Sequence, residues 1–131
     1  MSAVASIADT QLLHGAATDI ARGGKAPGFG ALLDDVWRDR AFGDFWGYAL
    51  VAEGAAEGMV ETDANVWDLA APAVVVEEAG GRVTDLRGER SIANRTILAT
   101  NGLLHDDLLE RLAGAGGVAP LAGPQDEGTT L

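Results

Sequence analysis

Between Ala41 and Gly81 the chain carries eight Asp and Glu residues and neither a Lys nor an Arg. A stretch so one-sided in charge can fold in two ways: its carboxylates spread over a wetted face, or several of them gather about a bound cation. Burying them unpaired is too costly. The same region is dense in rings, and all seven aromatic residues of the chain lie between Phe29 and Trp67. The charge count alone allows either arrangement, and the spacing of particular carboxylates favours the cation site.

At 131 residues, 47% hydrophobic and 22% charged, the chain is one domain's worth with enough apolar residues to bury a core. Its formal net charge of -11, with Lys25 the only lysine, argues against a general nucleic-acid binder or a binder of anionic membranes, both of which need clustered Lys and Arg. An anionic ligand such as a phosphate would be repelled by the acidic centre unless a divalent metal stood between them. The absence of cysteine excludes disulfides, thiolate chemistry and cysteine-ligated zinc. The longest apolar run, residues 69–76, is far short of the roughly 20 needed to span a bilayer. The first residues, MSAVASIADTQLL, have no basic segment before an apolar core, so no signal peptide is read and the expected setting is cytoplasmic.

Apolar periodicity predicts the elements. Residues 4–7 alternate like a short strand, and residues 8–21 show helical spacing at Ile7, Leu12, Leu13, Ala17 and Ile20, broken by a mobile surface loop over residues 22–30. Phe29, Leu32, Leu33, Val36 and Trp37 predict an amphipathic helix over residues 29–40. After a turn at Gly43, Asp44 is placed to cap a second helix, residues 45–53, apolar on nearly all sides and so expected to be buried. Residues 57–62 read as a strand with Met59 inward and Glu61 at its far end. A helix then starts at Asn65, with Asp68 completing an approximate capping box and Trp67, Ala70, Ala71, Val74, Val75 and Glu78 following, and it stops at Gly80-Gly81. Pro72 falls early in it, where a missing N–H costs least. Residues 82–86 and 96–100 are strands joined by a turn near Gly88, and residues 103–113 are a last helix. Residues 114–131, with five glycines and two prolines, read as a flexible tail behind a domain of residues 1–113.

Phosphate-binding loops, GxGxxG, GxSxG, HExxH and EF-hand patterns are all absent. His14 and His105 have no partner at helical spacing and are expected in surface or capping roles. Two readings fit Asp68: a first-turn carboxylate favoured by the helix dipole, or a hard-cation ligand beside a buried Trp67, where Ala70 and Ala71 permit close approach. Asp44 and Glu61 have similar plain alternatives, as a cap and as a strand-end surface charge.

Taken together, R-x-x-G-D at residues 40–44, VAEG at 51–54, EGMVE at 57–61, WDLAA at 67–71 and EAGGRVTD at 78–85 resemble the inositol monophosphatase family in order and spacing. The likeness runs from about Val4 through ATNGLLHDDLLERL at residues 99–112, and GDFWGYALVAEGAAEGMVE is most similar to the bacterial histidinol-phosphatase branch. The resemblance implies a Mg²⁺-dependent phosphomonoesterase in which metal ions polarise the phosphate and activate water. It implies that Asp68 is a metal ligand, that Glu61 hydrogen-bonds the alcohol part of the substrate, and that Asp44 and Phe45 lie beside the leaving group. An acid at Asp44 suits a cationic substrate such as histidinol phosphate better than a neutral polyol. Glu57 stands where the family more often has Asp.

The Glu-Glu pair and the Asp-Pro-x-Asp-Gly-Thr/Ser segment of the family's N-terminal half, which bring the other metal ligands and activate the nucleophile, have no counterpart before these motifs. The resemblance therefore covers only the C-terminal half. The expected fold is an α/β domain: a mixed sheet of about five strands flanked by helices. No catalytic residue is assigned in this half, and the isolated chain is expected to be nearly inactive. It is also expected to form a homodimer, as family enzymes commonly do, or to pair with an N-terminal half. An inositol or sugar-phosphate phosphatase and a non-catalytic module that pairs with another chain are the competing expectations.

Overall fold

A computed structural model describes residues 1–114. Ten regular elements follow a single 3₁₀ turn at Ile7–Asp9: β1 (Gln11–His14), α1 (Ala17–Gly23), α2 (Phe29–Asp35), β2 (Arg38–Ala41), α3 (Asp44–Ala52), β3 (Gly58–Glu61), α4 (Val66–Glu78), β4 (Arg82–Thr84), β5 (Ile97–Thr100) and α5 (His105–Ala113). The strands form one mixed sheet in the order β2-β1-β3-β5-β4, parallel from β2 to β3 and antiparallel from β3 to β4. This is the expected five-stranded α/β architecture.

Alternation along the central strands divides the interior into two cores, because successive side chains point to opposite faces. Leu12, Val60 and Leu98 pack with Ile20, Phe29, Leu32, Leu108 and Leu112 of α1, α2 and α5. Leu13, Met59, Ile97 and Ala99 pack with Tyr48, Val51, Leu69, Ala73 and Val76 of α3 and α4. The sheet is thus covered on both faces. This explains why Gln11–His14, expected as part of a helix, is a strand instead: a strand buried on both faces carries adjacent apolar residues, here Leu12-Leu13, and loses the alternating pattern. Residues 4–7, expected as a strand, lead into the 3₁₀ turn.

Two other boundaries move. The segment expected as one helix over residues 29–40 is α2 followed by β2, with the break at Val36, whose backbone is extended. Trp37 lies beyond the helix, 60% exposed, with the Arg38 guanidinium 4.3 Å from its ring centroid. Of residues 22–30, expected as a loop, 24–28 connect α1 to α2, and the flanking residues belong to the two helices. The flexible tail expected over residues 114–131 lies, Gly114 apart, outside the described residues.

Candidate functional site

Asp44, Phe45, Glu61 and Asp68, the four residues singled out in the sequence, line one open cleft of about 480 Å³ between α3, the end of β3 and the start of α4. The chain brings them together because α3 and α4 pack side by side on the same face of the sheet, α3 over β3 and β5 and α4 over β5 and β4. Tyr48 and Asp63 line it as well, and neither Lys nor Arg does.

Asp44 opens α3 without capping it. Its side chain makes no cap hydrogen bond, the N-cap is Gly43, and its own φ is 57°, left-handed geometry that Asp tolerates better than most residues. Asp63 also has a left-handed φ, 58°, so two of the three non-glycine residues with positive φ among the described residues border the cleft. Such strain is typical of places where side-chain direction matters more than backbone comfort. Lys25 holds Asp63 from outside at 2.7 Å, and Arg95 donates to the carbonyls of Asp63 and Ala64, bracing the β3–α4 connection.

Asp68 sits in the first turn of α4. The expected capping box is replaced by a different contact, since Asn65 makes no side-chain cap and its Nδ2 donates to Asp68 Oδ2 at 3.4 Å. Trp67, expected to be buried, is 77% exposed on the rim. The buried face of α4 is Leu69, Pro72, Ala73 and Val76. A helix apolar nearly all round offers two plausible faces, and packing against the sheet selects one. For the same reason α3 buries Gly47, Tyr48 and Val51 but leaves Phe45 and Trp46 exposed, contrary to the expectation of a wholly buried helix.

Glu61 is half-buried at the end of β3 and accepts a hydrogen bond from the Tyr48 hydroxyl. Burial pushes its carboxyl above the usual range; the Tyr48 donation opposes this, and the charges of Asp44 and Asp68 add to it. Burial, then the Glu61 charge, likewise pushes the Tyr48 phenol well up. Tyr48 was not singled out in the sequence, although its place four residues after Asp44 and three after Phe45 puts it on the same helical face.

The histidines are not at the surface as expected. His14 is 3% exposed, its ring edge-on to Phe29 and its nitrogens 2.8 Å from Gly15 O and Asp39 Oδ2. His105 is fully buried between the hydroxyls of Thr84 and Thr100. Glu57 is also buried and accepts from the backbone N–H of Gln11, away from the cleft. Among the described residues no helix is long and apolar enough to cross a membrane.

The sequence profile of the inositol monophosphatase family matches residues 29–116. The chain is 47% identical over 112 residues to the histidinol-phosphatase of Mycobacterium tuberculosis, covering 86% of this chain and 43% of that protein, and 39% identical over 109 residues to that of Streptomyces coelicolor, covering 83% and 41%. Among solved structures, the inositol monophosphatase from Anabaena (Nostoc) sp. PCC 7120 superposes with a TM-score of 0.76 at 32% identity, over 86% of this chain and 46% of that one. The extragenic suppressor protein suhB from Bartonella henselae does so with a TM-score of 0.80 at 29% identity, over 88% and 45%. The chain therefore spans less than half the length of these relatives. With a profile match across most of its length and the same fold, this chain belongs to the inositol monophosphatase family.

Proposed function

We propose that the chain forms the substrate-recognition side, and supplies one metal ligand, of a Mg²⁺-dependent phosphomonoesterase that hydrolyses histidinol phosphate to histidinol and inorganic phosphate. The observation that carries this reading is the convergence of Asp44, Glu61 and Asp68, with the exposed rings of Phe45 and Trp67, in a cleft that no Lys or Arg lines. Such a surface attracts organic cations by charge and by the faces of its rings. Asp44 would face the cationic end of histidinol and Glu61 would accept from its alcohol.

The phosphate end needs a counter-charge. Asp68 fits as one oxygen ligand for a hard cation, but among the described residues no three His, Asp or Glu side chains form a group able to hold one. The remaining ligands would come from the acidic motifs of a family N-terminal half. When bound, Mg²⁺ supplies phosphate polarisation and a more acidic water. The chain alone is accordingly expected to hydrolyse esters poorly, and its exposed apolar residues favour a dimer or pairing with such a half. A cysteine-free chain suits the cytoplasm.

Relatives named inositol-1-monophosphatase, such as that of Caulobacter vibrioides, support a second reading in which the alcohol is a neutral polyol. The two separate on Asp44. Mixed with a separately made N-terminal half of the M. tuberculosis relative, the chain should release phosphate faster from histidinol phosphate than from inositol monophosphate. Asp44→Asn should slow the first by about tenfold or more, the scale of one lost charge-assisted contact, and leave the second nearly unchanged. A preference for inositol monophosphate, indifferent to Asp44, would establish the second reading. Binding of the two halves without release from either substrate would favour a non-catalytic module.

A further inference from the structure

Glu61 is held from one element and given space by another. On α3, Tyr48 is 1% exposed and its hydroxyl donates to Glu61 Oε1. At the end of β1, Gly15 lies against the other oxygen, where an added Cβ would stand 3.1 Å from Oε2 and 3.2 Å from Cγ. Gly15 spends its N–H on the Val60 carbonyl at 3.2 Å, so what it gives Glu61 is room. The Tyr48 ring is packed among Val51, Met59 and Leu69, which fixes where the phenol oxygen sits.

A glutamate at a strand end has several rotatable bonds, and ordering such a side chain on a ligand costs conformational entropy. Asp44 and Asp68 line the same cleft, so like-charge repulsion would favour Glu61 swinging away from them. The buried Tyr48 donor on one oxygen opposes this before any ligand arrives, and the missing side chain of Gly15 leaves the other oxygen the space it occupies. We infer that Tyr48, seated opposite Gly15, is a positioning residue that pre-sets the Glu61 carboxylate and so determines how strongly the cleft holds a hydroxyl-bearing organic cation. The inference rests on the reading of Glu61 as acceptor for the alcohol part of the substrate.

The test titrates the full chain with histidinol, following indole fluorescence and calorimetry. Wild type should bind, and Tyr48→Phe, which removes only the hydroxyl, should bind about tenfold more weakly, as expected for one charge-assisted hydrogen bond. In a Glu61→Gln background the same Tyr48→Phe change should have almost no further effect, because Tyr48 acts only through that carboxylate; a merely structural role would weaken binding equally in both backgrounds. Gly15→Ala, which crowds Oε2 without touching the phenol, should also weaken binding in the wild-type background. Equal losses in the two backgrounds, or wild-type affinity in Tyr48→Phe, would overturn the positioning role while leaving the cleft's function intact. Failure of the wild-type chain to bind histidinol would instead overturn the recognition reading, and this inference with it.

Discussion

His105 and Glu61 respond to pH in opposite directions. Burial, with the nearby Arg82 charge, lowers His105 from 6.5 to about 4, so the unfolded chain takes up a proton that the folded chain refuses. Its contribution is present above pH 6.5 and lost as pH falls toward 4; by pH 5 about 2 kcal/mol should be gone. Urea denaturation at pH 7 and pH 5 checks this: His105→Gln should be the less stable protein at pH 7, with the gap closing at pH 5. Glu61 binds its proton more tightly when folded, so its contribution is present below the ordinary carboxyl value of 4.5 and is lost as pH rises through its elevated folded value. Glu61→Gln should therefore raise the melting temperature at pH 7 and lose that advantage near pH 3, while ligand recognition falls. Asp44, Glu61 and Asp68 could be picked out of the sequence because motif spacing marks them, whereas Asp63 and Tyr48 could not, lying outside the matched motif positions. The buried histidines escaped notice for another reason: Thr84 and Asp39, which satisfy them, are distant in sequence.

At the level of elements, most helices and strands were read by type, but β1 and β2 were both taken for helix. Amphipathic α5, with Leu108 and Leu112 buried and Asp107 and Glu110 exposed, was placed nearly correctly. β1, dry on both faces, was taken for helix, and Trp67 of α4 was expected inside because Val74 and Val75 are as apolar as the buried Val76. Close approach between elements was equally hidden. A Cβ on Gly28 would lie 1.7 Å from the Arg111 carbonyl at the end of α5, whereas one on Gly24 meets nothing within 4 Å and suffers only from its φ of 70°. Gly28→Ala should cost upward of about 3 kcal/mol or abolish folding, and Gly24→Ala only about 1 kcal/mol. Thermal melts of the two variants make the comparison.

Over the whole molecule, the family and its five-stranded α/β sheet were readable from five short motifs in order, since together they specify both the sheet crossing and the cleft beside it. Which large side chains stay exposed was not. Trp37, Trp46 and Trp67 are each at least 60% exposed, more ring surface than a self-sufficient domain usually leaves in water. Light scattering on the purified chain should show self-association, or a one-to-one complex when an N-terminal half is added; a monodisperse monomer indifferent to that half would contradict the pairing. The most direct measurement is Mg²⁺-dependent phosphate release from histidinol phosphate by the chain alone, by an N-terminal half alone and by the two mixed. The account predicts release only from the mixture, abolished by Asp68→Ala in this chain. Release by this chain alone, or from a mixture indifferent to Asp68→Ala, would contradict it.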